Sequence, residues 1–362
     1  MKIIYLITGL GGGGAEKVVV DLALRMENLG HQVKIAYLKG EVVVNPQTDR
    51  IELIYLGLEN LKQAKFAYNN YKQLLDRFEP DVVHAHMVHA NIFARIARKF
   101  RPISKLICTA HSNNEGGKAR MLAYRLTHSL AEVTTNVSQS ASLSFEQLGA
   151  VPKSGITTVY NGIDLDKFRY DLTARERLFH ELNLKQDSIL ILAVGRFHAA
   201  KDYPNLLHAF AKIKKQKASN EILLIAGDGE ERANIEQLIK LLNLQHHVYL
   251  LGRRDDIPEL MSAAHLFVLS SSFEGFGLVV AEAMASNTFV VATDCGGVKE
   301  VMGGYGLLVA PQNSQLLADK LQTALHMNRV DVNENNKKAL HHVQRNFDLN
   351  KIIQQWLEIY AG

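Results

Sequence analysis

The sequence predicts an α/β protein built from two doubly wound, Rossmann-like parallel sheets, and three observations carry that expectation. At 362 residues the chain exceeds the size at which a single hydrophobic core usually stops growing. Short runs rich in Val, Ile and Leu alternate with longer amphipathic stretches, the pattern of parallel strands joined by crossover helices. That alternation restarts near residue 188, beyond the turn signal Asn161-Gly162, which is the natural hinge. With 47% hydrophobic and 22% charged residues, the composition excludes disordered, collagen-like and coiled-coil chains.

The first apolar run, residues 2–8, continues into GGGGAEK rather than a small-residue cleavage site, so it reads as a strand and not as a leader. A helix follows over 15–28, with Val18, Val19, Leu22 and Met26 at helical spacing. Strands are expected next at 32–38, 51–55, 81–84, 105–109, 132–136 and 157–160. Residues 188–194 form a nearly unbroken apolar run, as suits a strand buried on both faces. Further strands are expected at 221–226, 248–250, 266–269 and 288–292, with helices between them. In the closing helix Ile352, Ile353, Trp356, Leu357 and Tyr360 share one face, which must pack on something.

No apolar run approaches the roughly 20 residues that a membrane-spanning helix needs. Cys108 and Cys295 stand alone without metal-ligand spacing, so a disulfide scaffold or zinc site has no support and a reducing cytoplasm is the expected compartment. The net charge of +4 is too mild to point to a nucleic-acid partner.

Four motifs carry chemistry. GLGGGGAEK, residues 9–17, lies between the first strand and its helix, where glycines let backbone amides approach an anion at a helix N-terminus. Gly9, Gly11 and Gly14 satisfy GxGxxG, but the second strand ends at Tyr37-Leu38-Lys39-Gly40 without the acid that a dinucleotide ribose needs. Ala15 stands where a phosphate-binding NTPase loop needs Lys.

The second motif is EGFGLVVAE, residues 274–282. Its paired carboxylates suggest a glycosidase, yet Gly275-Phe276-Gly277 places Glu274 on a loop and Glu282 more than a turn into the following helix. The amides of Gly277, Leu278 and Val279 then open a helix N-terminus, a second anion site. Because open parallel sheets bind ligands at the carboxyl ends of their strands, two such sheets predict a cleft suited to a diphosphate.

In the third motif, GRFHAAKDYP from residue 195, Arg196 and Lys201 follow a buried strand and can neutralise the charge on a departing diphosphate. Asp202 and Pro204 would cap and start the next helix. The fourth is a histidine group, His84, His86 and His89, with His111 at the end of the fifth strand. No acid-containing metal motif accompanies it; His111 reads as a strand-end donor and His84 as a packing histidine. Asp164-Leu165-Asp166 spells DxD, a metal-holding pattern in some sugar transferases, but its setting favours capping and domain connection. No metal and no cofactor is expected.

Together these motifs resemble glycosyltransferase family 4, retaining enzymes of the two-Rossmann GT-B fold. The likeness spans nearly the whole chain: GGGGAEK, DVVHAH at 81–86, TAHS at 109–112, NVS at 136–138, VYNGID at 159–164, VGRFHAAKDY at 194–203, IAGDGE at 225–230, LGRRDDI at 251–257, SSSFEGFGLVVAEAMA at 270–285 and TDCGGVKEV at 293–301. The resemblance implies an acceptor-binding domain over residues 1–165, completed by a crossover helix at 348–362, and a donor-binding domain over 166–347. It implies that Gly13 and Gly14 approach the donor phosphate and the acceptor, that Arg196 and Lys201 bind the diphosphate, and that Glu274 holds donor-sugar hydroxyls while Glu282 holds the ribose. Phe276 and Gly277 would set backbone against the sugar, Leu278 and Val279 would lie next to the phosphates, His111 would contact the sugar near the reacting carbon, and Arg253 would sit near the base.

The activity implied is retaining transfer of a hexose or N-acetylhexosamine from a nucleotide-sugar, a UDP-sugar in preference, by front-face attack without a protein nucleophile. Lys299 departs from the family's usual proline in GGxPE, a change that bears on loop shape. HMVHANIFAR with TAHSNNEGG resembles bacterial enzymes of lipid-linked surface polysaccharide synthesis (O-antigen, capsule or exopolysaccharide), so the expected acceptor is a saccharide or a polyprenyl-diphosphate-linked sugar. Arg95, Arg98, Lys99, Arg101 and Lys105 beside Ile92, Phe93, Ile96 and Phe100 form a basic amphipathic stretch suited to an anionic membrane, or else to packing on the core. Peripheral attachment to the inner face of the cytoplasmic membrane is the corresponding expectation. The competing readings are a nucleotide-sugar epimerase of the same fold and a non-catalytic nucleotide-sugar-binding partner.

Overall fold

The computed structural model describes residues 1–215 and 220–362, and the chain forms two compact units. The first comprises Met1–Gly162 with Asn350–Gly362, and the second Ile163–Leu349.

In the first unit the elements run β1 (Lys2–Ile7), α1 (Gly14–Asn28), β2 (Gln32–Tyr37), β3 (Glu52–Tyr55), α2 (Ala64–Phe78), β4 (Val82–His86), α3 (Val88–Arg98), β5 (Leu106–Ala110), α4 (Lys118–Thr127), β6 (Val133–Asn136), α5 (Gln139–Gln147) and β7 (Thr157–Thr158). The strands form one parallel sheet in the order β3-β2-β1-β4-β5-β6-β7. Central strands are apolar on both faces because helices cover both, and Ile3 to Ile7 are fully buried.

The second unit runs α6 (Ala174–Glu181), β8 (Ile189–Val194), α7 (Tyr203–Lys214), β9 (Glu221–Ala226), α8 (Arg232–Leu241), β10 (Val248–Gly252), α9 (Ile257–Ala263), β11 (Leu266–Leu269), α10 (Leu278–Ala285), β12 (Phe289–Thr293), α11 (Val298–Met302), β13 (Leu307–Val309), α12 (Ser314–Leu325) and α13 (Arg329–Asn346). Its parallel sheet has the order β10-β9-β8-β11-β12-β13. In both sheets the order reverses beside the first strand, between β1 and β4 and between β8 and β11. That reversal opens a crevice at the strands' carboxyl ends, the place where such sheets bind ligands.

Two strands differ from expectation. β13 is absent from the sequence reading because it spans three residues at a sheet edge and is preceded by Gly303, Gly304 and Gly306, all at positive φ. Gly306 is required by contact as well, since a Cβ there would lie 2.4 Å from the Val290 carbonyl oxygen. β7 covers only Thr157–Thr158 of the expected 157–160, as befits an edge strand of the first sheet.

The closing helix α14 (Leu349–Ala361) packs its predicted apolar face on the first unit. Trp356 lies against His84 at a ring-centroid distance of 4.5 Å, and Tyr360 Oη meets Tyr5 Oη at 3.1 Å and His84 Nδ1 at 2.7 Å. Lys105 Nζ donates to the carbonyls of Ile359 (3.2 Å) and Tyr360 (3.0 Å), closing the helix C-terminus with a cation.

Of the cations over residues 91–105, all but the exposed Lys99 are buried or bonded inside the first unit, as in the core-packing alternative, while Ile96 and Phe100 remain exposed. Arg95 is fully buried, with Nη2 donating to Thr134 Oγ1 at 2.7 Å and its guanidinium over the Tyr124 ring. Arg98 pairs with Glu132, Arg101 with Asp76, and Lys105 with α14. Only Arg95 and Arg98 lie on α3, whereas Arg101 and Lys105 lie beyond its end, so helical periodicity alone does not place them.

Candidate functional site

In the second unit the reversal of strand order brings the ends of β8 and β11 together, and with them Lys201 and Glu274. Lys201 closes a 3-10 turn, Ala199–Lys201, whose N-terminal His198 accepts the Ala200 amide on Nδ1. The serines following β11 clamp that turn: Ser270 Oγ donates to the Lys201 carbonyl at 2.8 Å and the Ser272 amide to the Ala200 carbonyl at 2.9 Å. Ser271 faces the other way and donates from Oγ to Glu274 Oε1 at 2.7 Å. Lys201 Nζ reaches the same oxygen at 2.6 Å. Both side chains are largely buried, 22% and 13% exposed, so the pair is less screened than a surface ion pair. Among the described residues neither bond uses Glu274 Oε2, which keeps an acceptor for an incoming hydroxyl.

The loop after Glu274 turns into α10 through Gly277, whose φ of 96° lies in the left-handed region that a side chain disfavours. The Gly297 amide donates to the Gly275 carbonyl at 3.2 Å, so the turn after β12 braces this loop. Leu278 and Val279 form the partly exposed first turn of α10, while the Phe276 ring is buried edge-on against Phe347. Glu282 is buried at 4% exposure, one turn into the helix, and is therefore no ordinary helix-surface acid. Cys295 sits nearby with its thiol pushed up to about 11, chiefly by burial and further by Glu274.

Arg196 follows β8 and pairs with Glu230 across 3.0 Å, both half-exposed. Glycines of IAGDGE make this approach feasible: a Cβ on Gly227 would fall 2.0 Å from the Gly195 carbonyl oxygen, and one on Gly229 2.5 Å from that of Phe197. Arg253 is exposed just beyond β10, whereas its neighbour Arg254 is held by Glu181 and Asp256.

In the first unit the glycine loop leads from β1 into α1, with Gly13 at the N-cap, Gly14 opening the helix and no side-chain cap. Glu16 curls back over this end, its Oε2 lying 2.6 Å from the place a Gly13 Cβ would take. A carboxylate thus rests near the helix terminus where an anion was expected. Gly9 approaches the Lys39 carbonyl to 2.9 Å on the same measure.

His111, one residue past β5, is partly buried and its Nε2 lies 3.0 Å from His86 Nδ1 on β4. Burial lowers the His111 pKa to about 4, so the imidazole is neutral at neutral pH. Its amide donates to Glu115 Oε1 at 2.8 Å, and Glu115 Oε2 accepts from Tyr124 Oη at 2.6 Å. His84 is the packing histidine expected, fully buried with Nδ1 on Tyr360 and Nε2 on Thr109 Oγ1 at 2.6 Å. Among the described residues no group of three or more His, Cys, Asp or Glu is arranged to hold a metal ion. Asp164 Oδ1 of the DxD sequence accepts the amides of Asp166 and Lys167, a local turn.

Sequence reasoning gave no role to the three serines or to Glu115, and named His86 only as one of a histidine group. The SSS run before Glu274 was a visible signal, because consecutive hydroxyls at a strand end suit turn-clamping. His86 shares a strand face with His84, two residues on, which was equally legible. Met87, which opens α3 at a φ of 71°, had no signal.

Two parallel sheets of this strand order, one carrying a largely buried Lys–Glu pair at its switch point, are the architecture of the GT-B fold. The comparisons agree. Glycosyltransferase Family 4 matches residues 12–167 and Glycosyl transferases group 1 matches residues 174–339. The N-acetyl-alpha-D-glucosaminyl L-malate synthase of Bacillus anthracis is 30% identical over 308 residues, covering 80% of this chain and 76% of that protein. A Campylobacter jejuni N-acetylgalactosamine-N,N'-diacetylbacillosaminyl-diphospho-undecaprenol 4-alpha-N-acetylgalactosaminyltransferase is 28% identical over 378 residues, covering 100% of both. The Anabaena protein HepE, crystallised with UDP and glucose, has the same fold at a TM-score of 0.88 and 23% identity, over 100% of this chain and 99% of that one. This chain belongs to glycosyltransferase family 4.

Proposed function

We propose that this glycosyltransferase moves a hexose or N-acetylhexosamine from a UDP-sugar to a hydroxyl of a lipid-linked or saccharide acceptor in surface polysaccharide synthesis, with retention of anomeric configuration. The observation that carries the reading is the Lys201–Glu274 pair at the switch point of the second sheet. A carboxylate with one oxygen tied down by Lys201 and Ser271 offers the other to a sugar hydroxyl, in fixed orientation. The ammonium beside it and the Arg196 guanidinium offset the negative charge that grows on the leaving diphosphate. Those two cations fill the part that a divalent ion plays elsewhere, so the reaction is proposed to need no metal.

In the proposed step the acceptor oxygen bonds to the anomeric carbon on the face from which the diphosphate departs. The bond from that carbon to the phosphate oxygen breaks, and the acceptor proton passes to an oxygen of the departing diphosphate. Glu282 is assigned the ribose, Arg253 the base, and the Leu278 and Val279 amides the phosphates. Backbone at Phe276 and Gly277 is assigned to the sugar, as is His111, while Gly13 and Gly14 are assigned to the phosphate and acceptor. UDP is preferred because the Anabaena relative in fold was crystallised with it, and a lipid-linked acceptor because the Campylobacter relative is named for one. Among the described residues no helix is long and apolar enough to cross a membrane, so the proposed location is peripheral, on the inner membrane face.

The test is release of UDP and labelled product from a panel of UDP-sugars with a polyprenyl-diphosphate sugar acceptor, in the presence of a chelator. Activity that disappears with the chelator contradicts the metal-free step, and activity with GDP-sugars alone contradicts the donor.

A further inference from the structure

β4 ends on His86, which pairs in register with Thr109 of β5 and Ile7 of β1 and is fully buried. Its ring centroid lies 4.0 Å from that of His84 and 5.9 Å from that of Tyr5, so packing fixes its orientation. Nδ1 reaches His111 Nε2 at 3.0 Å, whereas Nε2 is buried with no hydrogen-bond partner among the described residues. A buried polar atom left unpaired is costly, and internal water is what commonly meets one.

His86 also lines a cavity of about 10 Å³, and every residue around that cavity belongs to the first unit. This is about the smallest space that holds one water molecule. Val137, Val159, Ile352 and Trp356 form much of its wall, with Thr109 and Asn161 among its polar members. His111 does not line it, which places the cavity on the Nε2 side of the His86 ring, away from the Nδ1 bond.

Burial keeps both imidazoles neutral at neutral pH, so a single proton lies between the two facing nitrogens. If His111 donated it, His86 Nε2 would carry a hydrogen facing a mostly apolar wall. If His86 donates it from Nδ1, Nε2 is a bare acceptor, which a water satisfies with either O–H. Buried N–H groups go unpaired more rarely than acceptors do, and that favours the second arrangement. His111 then carries its own proton on Nδ1, an atom without a hydrogen-bond partner among the described residues.

We propose that one buried water occupies this cavity and donates to His86 Nε2, while His86 donates from Nδ1 and fixes His111 as its Nδ1–H tautomer. His86 is thus a positioning residue that acts through His111. Glu115 holds the His111 main chain through its amide and His86 holds the ring, so the two are fixed by separate elements. The effect on transfer rests on the proposed assignment of His111 to the donor sugar, to which an Nδ1–H would donate; the water and the tautomer do not.

The test is NMR of the ring nitrogens in the full chain, isotope-labelled at its histidines, together with a crystal structure that shows ordered water. The expected result is one neutral tautomer at each ring, with Nδ1 protonated and Nε2 bare on both His86 and His111, and a water within hydrogen-bond distance of His86 Nε2. His111 protonated on Nε2, a mixture of its tautomers, or a crystal structure without that water overturns the proposal, and none of these needs a variant. His86→Phe removes the donor but keeps a ring; it should leave His111 as a mixture of tautomers and lower kcat ~10-fold, with less change in the UDP-sugar KM. His86→Asn, whose amide can donate from near the Nδ1 position, should restore the single tautomer and most of kcat. A folded His86→Phe in which His111 keeps only the Nδ1–H tautomer also overturns the proposal. If water and tautomer are as expected but His86→Phe transfers at the wild-type rate, the assignment of His111 to the sugar fails while the water site and the tautomer stand.

Discussion

Lys201 Nζ and Glu274 Oε1 lie 2.6 Å apart although 73 positions separate them in sequence, because the strands they follow, β8 and β11, are neighbours where the sheet order reverses. A pair formed this way is set by topology, and each member is held by its own serine contacts before any ligand arrives. Glu274→Gln should keep the fold while transfer falls ~10²-fold or more, since a carboxamide replaces the charge that orients the donor. Turnover of a UDP-sugar alongside UDP-induced thermal stabilisation checks this; loss of both together would point to a structural role instead.

Ser271 should matter through Glu274 alone. Ser271→Ala removes the 2.7 Å bond to Oε1 and leaves Lys201 as the only tether, so kcat should fall ~10-fold while the denaturant midpoint moves little. A variant with normal kcat would show that Lys201 suffices to place the carboxylate.

The buried histidines predict an acid weakness. His84 and His86 are held well below the usual 6.5 by burial, and His111 falls to about 4. Unfolded, each takes a proton near 6.5, so the unfolded state binds more protons as pH drops from there toward 4, and stability falls through that window. Within this cluster Glu115, raised by burial, works in the opposite direction, one group against three. Denaturant midpoints from neutral pH down to about 4.5 should decline, and less steeply in His86→Asn, whose side chain takes up no proton. Equal slopes would show that His86 does not contribute.

Tyr360 fastens α14 to the first sheet through Tyr5 and His84. Tyr360→Phe leaves a fully buried His84 Nδ1 without its partner and should cost about 1–3 kcal/mol, whereas Trp356→Ala should cost about 3–5 kcal/mol through the cavity it leaves. Urea unfolding measures both, and a neutral Tyr360→Phe would mean that His84 finds another donor or acceptor.

Much of this was legible in the residues, for reasons that differ from place to place. The helix face of Ile352, Trp356 and Tyr360 was readable because helical period and burial coincide. Glu274 and Glu282 were separable because Gly275 and Gly277 break the chain between them and fix where the helix starts. Arg95 was misplaced because a cation among apolar residues reads as a solvated edge, and only its tertiary partners Thr134 and Tyr124 make burial tolerable. Ser270 and Ser272 were passed over because their partners, the carbonyls of Lys201 and Ala200, belong to a turn that sequence places far away.

The central claim is a retaining transfer that runs through Glu274 and the cations beside it. The most direct test is product formation from a UDP-sugar and a polyprenyl-diphosphate-linked acceptor, with the anomeric configuration of the product read by NMR, for wild type and Glu274→Gln. The account predicts an α-linked product from an α-configured donor, and its near-complete loss in the variant. An inverted product, or full transfer by Glu274→Gln, would contradict it.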